Sequence, residues 1–211
     1  MANTRALLTC GIAAGPFYVG LSLIQVFIRE GFDVTRHPLS FLSIGELGWI
    51  QIANFLITGL LLILCAVGIR RALNGGKAST WGPLLLAVYG VSLMAAGMFV
   101  ADPAFGFPPG TPEGPPAAIS THGILHFVAG GIGFMALIAA CFVFARRFAA
   151  SGDRGWTAYS IATGVVFFGA FGGIASGAGG AAANLIFGLA VLLTWSWLSA
   201  LSARLRSTVA G

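Results

Sequence analysis

Trp49-Ile50-Gln51-Ile52-Ala53-Asn54-Phe55-Leu56-Ile57-Thr58-Gly59-Leu60-Leu61-Leu62-Ile63-Leu64-Cys65-Ala66-Val67-Gly68-Ile69 runs for 21 residues without a charge and stops at Arg70-Arg71. Wound as an α-helix at about 1.5 Å per residue it reaches roughly 31 Å, the thickness of a bilayer's hydrocarbon core. Outward from it, five more stretches repeat the pattern, at residues 6–28, 81–101, 122–145, 156–176 and 181–203. None of the 17 charged residues, 11 Lys and Arg with 6 Asp and Glu, falls inside any of the six. The predicted fold class is an all-α, polytopic membrane bundle of six transmembrane helices, one integral membrane domain over residues 1–211.

Composition excludes the other classes. With 57% apolar and 8% charged residues and a mean hydropathy of +0.93, the chain cannot dress a soluble globule, whose surface takes about a quarter of all residues as charges. Disorder needs low hydrophobicity, and three cysteines do not build a disulfide framework. The first span, a mainly apolar stretch of 23 residues, exceeds a signal peptide's core of about 7–15, so it reads as a helix.

Loops carry the expected punctuation, Asn74-Gly75-Gly76 after the second span and the proline-rich run Phe107–Pro116 after the third. Arg5, Arg70, Arg71, Lys77, Arg146, Arg147, Arg154, Arg204 and Arg206 fall on one side, against Arg29 and Arg36 on the other. By the positive-inside rule both termini are expected in the cytoplasm, with the chain in the cell's inner (cytoplasmic) membrane. The net charge of +5 is then topology, and no nucleic-acid partner is expected.

Gly169, Gly173 and Gly177 are four apart, a spacing that lets two helix backbones approach closely; Gly11 and Gly15 repeat it. A glycine-lined path is the functional alternative. Cys10, Cys65 and Cys141 read as packing residues. Cys-x4-Arg-Arg recurs 76 residues apart, at Cys65 and Cys141, with Trp81 and Trp156 opening the next spans, the pattern of a parallel repeat of helical hairpins.

All three histidines fall on the outer side: His37 in the first loop, His122 and His126 at the start of the fourth span. The latter pair, four apart, shares one helix face, a spacing that lets two imidazoles hold one metal. Asp102 ends the third span at the same depth, and Ser40, Ser43, Glu46 and Asn54 come from the first outer loop and second span. Polar groups this deep face a bundle interior or a wet cavity. The bland alternative is that Ser120 and Thr121 cap the fourth helix, His122 is an ordinary first-turn residue and Asp102 merely stops helix three.

Two function classes follow. A divalent metal such as zinc on His122, His126 and a third ligand, His37 or Asp102, would activate a water, with Asp102 or Glu46 as general base and Ser40 as an oxyanion or substrate contact: a metal-dependent hydrolase of a lipid or amphiphile. Haem would need His37 opposite His126, because two histidines four apart on one helix cannot supply both axial ligands. A non-enzymatic transporter or binding protein for a lipid or amphiphilic small molecule would use the same groups for recognition, and the charge-free spans argue against ion coupling.

The segment from His37-Pro38-Leu39-Ser40 through Glu46 and Asn54-Phe55, with Phe99-Val100-Ala101-Asp102-Pro103 and His122-Gly123-Ile124-Leu125-His126, resembles a bacterial and archaeal membrane family, domain of unknown function 998. The resemblance runs from about residue 6 to residue 200 and implies a small multi-helix membrane protein without an assigned activity. That family often closes its last outer turn with a Gly and a Glu-Arg pair; here the region reads Gly177-Ala178-Gly179-Gly180-Ala181, so the pair is missing. A more distant analogy, of residue types only, is to alkaline ceramidase and progestin-receptor-like membrane hydrolases, in which a serine, an aspartate and three histidines surround zinc.

Overall fold

The computed structural model describes residues 2–73, 75–76, 78–177 and 180–209. The expectations placed on Asn74, Lys77, Ala178 and Gly179 lie outside the described residues. Among the described residues the chain forms six α-helices, α1 (Ala2–Ile28), α2 (Gly48–Ala72), α3 (Ala78–Met98), α4 (Thr121–Ala150), α5 (Arg154–Ala175) and α6 (Ala181–Thr208), with a 3-10 turn at Leu39–Ser43 and no strand. All six are long and apolar enough to cross a membrane. This is a multi-pass membrane bundle.

Six crossings bring both termini to one end of the bundle. Arg5, Arg70, Arg71, Arg146, Arg147, Arg154, Arg204 and Arg206 cluster at that end, here the basic end. Residues 29–47 and 99–120 form the opposite, cap end. The helices pack in chain order, each against the next, and α6 returns to α1.

Small residues set the closest crossings, because lipid supplies no hydrophobic drive between helices. A Cβ added to Gly59 of α2 would lie 2.5 Å from the carbonyl oxygen of Gly90 in α3, and one on Gly90 would lie 2.7 Å from that of Gly59. Gly11 and Gly15 do the same for α1 and α6: their Cβ positions fall 2.3 Å from Ser202 Oγ and 2.5 Å from Ser199 Oγ. The glycines at the cap end of α5 and just beyond it do not, although Gly164 lower in α5 does sit close against Cys141 and Phe142 of α4. Gly169, Gly172, Gly173 and Gly177 have nothing within 4 Å of an added Cβ, which corrects the expectation of tight packing there. Spacing alone cannot say which helix face turns inward.

Cys65 and Cys141 are buried packing residues, Cys65 against Ser202 Oγ at 3.3 Å and Cys141 against Gly164. At the basic end Asp153 caps α5 through the Trp156 N–H at 3.1 Å and pairs with Arg204 at 2.6 Å. The Arg204 guanidinium also lies over the Phe148 and Trp156 rings.

Predicted boundaries move: α4 and α6 run past the expected 145 and 203 to Ala150 and Thr208. The third span, expected over 81–101, leaves the helix after Met98. Instead of receiving helical amides, the carbonyls of Ala96 and Phe99 accept from His126 Nδ1, at 3.0 and 2.8 Å. Asp102 therefore sits in the loop rather than at a helix end.

Candidate functional site

At the cap end Arg29, one residue past α1, is buried and donates to the carbonyls of Leu42 (2.9 Å) and Ile44, with its guanidinium 5.2 Å from the Phe107 ring centre. Phe41, Ile44, Ala101, Ala104 and Phe107 make a small separate core there, with Phe32 and Val100 packed on it. Exposed Arg36 and Glu113 bridge the two long loops as an ion pair.

His37 lies at the centre of this cap, 2% exposed. The Asp33 N–H donates to its Nδ1 at 3.0 Å, which leaves the proton on Nε2, and Nε2 donates to the Phe105 carbonyl at 2.9 Å. Both ring nitrogens are thus engaged in tying one loop to the other. A metal takes a nitrogen lone pair, and His37 has none to offer.

Asp102 Oδ2 accepts from the Ser120 N–H at 2.9 Å, and Ser120 Oγ accepts from the Gly123 N–H at 3.0 Å. Together they cap α4, where negative charge is favoured by the helix dipole. Gly123 is needed beneath them, since a Cβ would fall 2.1 Å from Asp102 Oδ2. His122 is exposed, its ring edge-on to Phe99 at 5.6 Å. Glu46 is exposed on the turn before α2.

Among the described residues no three His, Cys, Asp or Glu side chains gather where a metal ion could be held. The structure does not gather the expected centre of His37, His122 and His126 with Asp102 beside it: His37 pins loops, Asp102 caps a helix, and His122 is exposed. A divalent metal such as zinc does not fit this donor arrangement.

His126 is different. It is 4% exposed, and an Nδ1 between two carbonyls must carry the proton. Its Nε2 then keeps its lone pair, with no protein partner among the described residues. His126 lines a cavity of about 290 Å³ in the cap-end half of the bundle. Phe55, Phe134, Phe171 and Phe187 supply its aromatic wall, and Gly130, Gly131 and Gly188 keep it open. Its polar lining is Tyr18, His37, Ser40, Tyr89, Ser92, His126 and Asn184, and no Asp, Glu, Lys or Arg lines it among the described residues. Leu23, Phe127, Leu185 and Leu189 belong to the same wall and are exposed on the bundle's flank. They lie four to eight residues, roughly 6–12 Å, inside the cap-end termini of α1, α4 and α6. The cavity mouth is thus at the depth of lipid chains.

Of the six residues singled out by sequence, His37, Ser40 and His126 share this cavity, whereas Asp102, Glu46 and His122 stand outside it. Sequence does not single out Tyr18, Tyr89 or Ser92, and of the buried network between α1 and α2 it names Asn54 alone. There Gln51 Oε1 accepts from Gln25 Nε2 at 2.7 Å and from Ser22 Oγ at 3.3 Å. Asn54 Nδ2 reaches the Tyr18 carbonyl (3.1 Å) and Ser22 Oγ (3.2 Å), and Thr58 donates to Asn54 Oδ1 at 3.1 Å. The network carries a readable signal. Tyr18, Ser22 and Gln25 on α1, like Gln51, Asn54 and Thr58 on α2, stand three and four apart on one helix face.

Known proteins place the chain in a family rather than assigning it an activity. No curated protein and no solved structure matches it. A family model described as "Protein of unknown function (DUF998)" matches residues 12–204, and the chain belongs to that family.

Proposed function

We propose that the protein binds or carries a lipid or other amphiphile, taken into the cap-end cavity from the surrounding leaflet. The observation that carries this reading is the cavity's character: apolar, free of formal charge and bordered by side chains exposed on the lipid-facing flank. Apolar pockets with a few convergent polar groups are the usual form of small-molecule sites. The nine-to-two distribution of Lys and Arg supports the cytoplasmic membrane as the location, with the basic end and both termini in the cytoplasm and the cavity in the outer leaflet.

A second reading, hydrolysis of that amphiphile, is favoured by one observation. Ser40 and His126 line the same cavity, and His126 Nε2 is available to accept a proton. Ser40→Ala separates the two, since it should abolish turnover under this reading and leave uptake unchanged under the first.

The binding reading is tested with protein reconstituted in lipid nanodiscs and a fatty alcohol bearing a photoactivatable diazirine. Cross-links concentrated in residues 126–134 and 184–192 are expected. Labelling spread evenly over the lipid-facing residues, such as Val165 and Phe168 of α5, would sink the proposal.

A further inference from the structure

The deepest part of the cavity carries hydroxyl groups that the fold itself does not use. Tyr18 of α1, Tyr89 of α3 and Ser92 of α3 are 6%, 5% and 6% exposed, and all three line the cavity. Their rings and backbones are fixed: Tyr18 and Tyr89 both pack on the Trp195 indole, at 4.9 and 5.8 Å between centroids. Yet neither phenol hydroxyl, nor Ser92 Oγ, has a hydrogen-bond partner among the described residues. A helical serine ordinarily returns its proton to the carbonyl four residues back, as Ser196 and Ser202 do here at 2.8 Å. Buried polar groups left unpaired are costly in an apolar setting. These three hydroxyls instead open to the cavity they line, on buried side chains and without a protein partner among the described residues, and beside the His126 Nε2 lone pair they are arranged for a ligand.

Depth and charge narrow the class of that ligand. Tyr18 lies ten residues from the cap end of α1 and Tyr89 nine residues from that of α3, about 14–15 Å along each helix and so near the middle of a bilayer of about 30 Å. A phospholipid resting at the interface keeps its headgroup well above this level. No charged residue lines the cavity to compensate an ion brought so deep. Resting on the binding reading above, we infer that the cavity selects an uncharged, mostly apolar molecule bearing a carbonyl or ether oxygen, which accepts hydrogen bonds from Tyr18, Tyr89 and Ser92 near mid-bilayer.

Competition for photolabelling tests this. A diazirine-bearing hydrocarbon marks the cavity of the nanodisc-embedded protein, and a long-chain ketone is compared with the alkane of equal length as competitor. The ketone is expected to compete at least about threefold better, the least that one to two net hydrogen bonds supply. In Tyr18→Phe/Tyr89→Phe/Ser92→Ala, which keeps both rings and whose folding is checked by monodisperse elution, labelling by the hydrocarbon should persist while the preference falls to about one. Equal competition in the wild type, or a preference that survives in the triple variant, overturns this inference and leaves the binding reading standing. Failure of the wild type to be labelled at all overturns both. If the triple variant does not fold, Tyr18→Phe and Tyr89→Phe made singly must each lower the preference, and two unchanged preferences overturn the inference.

Discussion

Replacing Gln51 by leucine tests the α1–α2 network where it is most connected. Gln51 joins α2 to two side chains of α1, Gln25 at 2.7 Å and Ser22 at 3.2–3.3 Å, and all three residues are fully buried. An interhelical hydrogen bond in a membrane bundle contributes about 0.6 kcal/mol on average, so two linkages amount to roughly 1.2 kcal/mol. The larger consequence falls on Gln25. Its Oε1 is already buried without a partner among the described residues, and loss of Gln51 leaves its Nε2 only the Leu21 carbonyl of its own helix. Stranding that amide adds about 1 kcal/mol. Gln51→Leu should therefore cost about 2 kcal/mol, a fall in Tm of roughly 4–8 °C for a chain of this size. Removing both partners, Gln25→Leu/Gln51→Leu, should restore about half of that loss, because apolar groups replace a stranded amide. Thermal unfolding in detergent, followed by loss of the monodisperse elution peak, reads both. A Gln51→Leu protein within about 1 °C of wild type, or a double variant less stable than the single, would refute the reasoning.

Glycines should sort by what lies above them: Gly59→Ala should lower Tm measurably, by forcing α2 and α3 apart, whereas exposed Gly169→Ala should be neutral or raise stability by about 0.5–1 kcal/mol. His126→Phe keeps volume but leaves the Ala96 and Phe99 carbonyls unpaired, and a loss of about 1–2 kcal/mol is expected by the same assay. Asp102→Ala removes half of the α4 cap and should cost about 1 kcal/mol, with faster amide exchange at Ser120 as its local signature. Hydrogen bonds from the Thr35 hydroxyl and then from its backbone N–H hold the Asp33 carboxyl below its ordinary value of 3.8. The order this gives the first loop is present above that pH and is lost as pH falls through the lowered value, which amide exchange at Thr35 would follow.

The six spans were legible because a charge-free stretch of about 20 residues has few other physical meanings. The third span was misjudged at its end, since Phe99, Val100 and Ala101 are apolar enough to belong to a helix and nothing local announces that His126, 27 residues from Phe99, takes its carbonyl. The histidines were found as a group, but their bonding was not. His37 and His126 look alike in sequence, and only the fold shows one with both nitrogens engaged and the other with Nε2 turned to a cavity. Tyr18 and Tyr89 were passed over because a tyrosine in an apolar span is ordinary. What distinguishes them is the convergence of two helices on one indole, which is a tertiary fact.

The central claim, that the cap-end cavity holds an amphiphile, is tested most directly by filling it. Gly130 lines the cavity and a Cβ there meets nothing within 4 Å, so Gly130→Phe can occupy the space without straining the backbone. Diazirine fatty-alcohol labelling of residues 126–134 and 184–192 should fall at least about fivefold in this variant, corresponding to roughly 1 kcal/mol of lost binding, while Tm is held or raised. Undiminished labelling of the same residues in a folded Gly130→Phe protein would contradict the account.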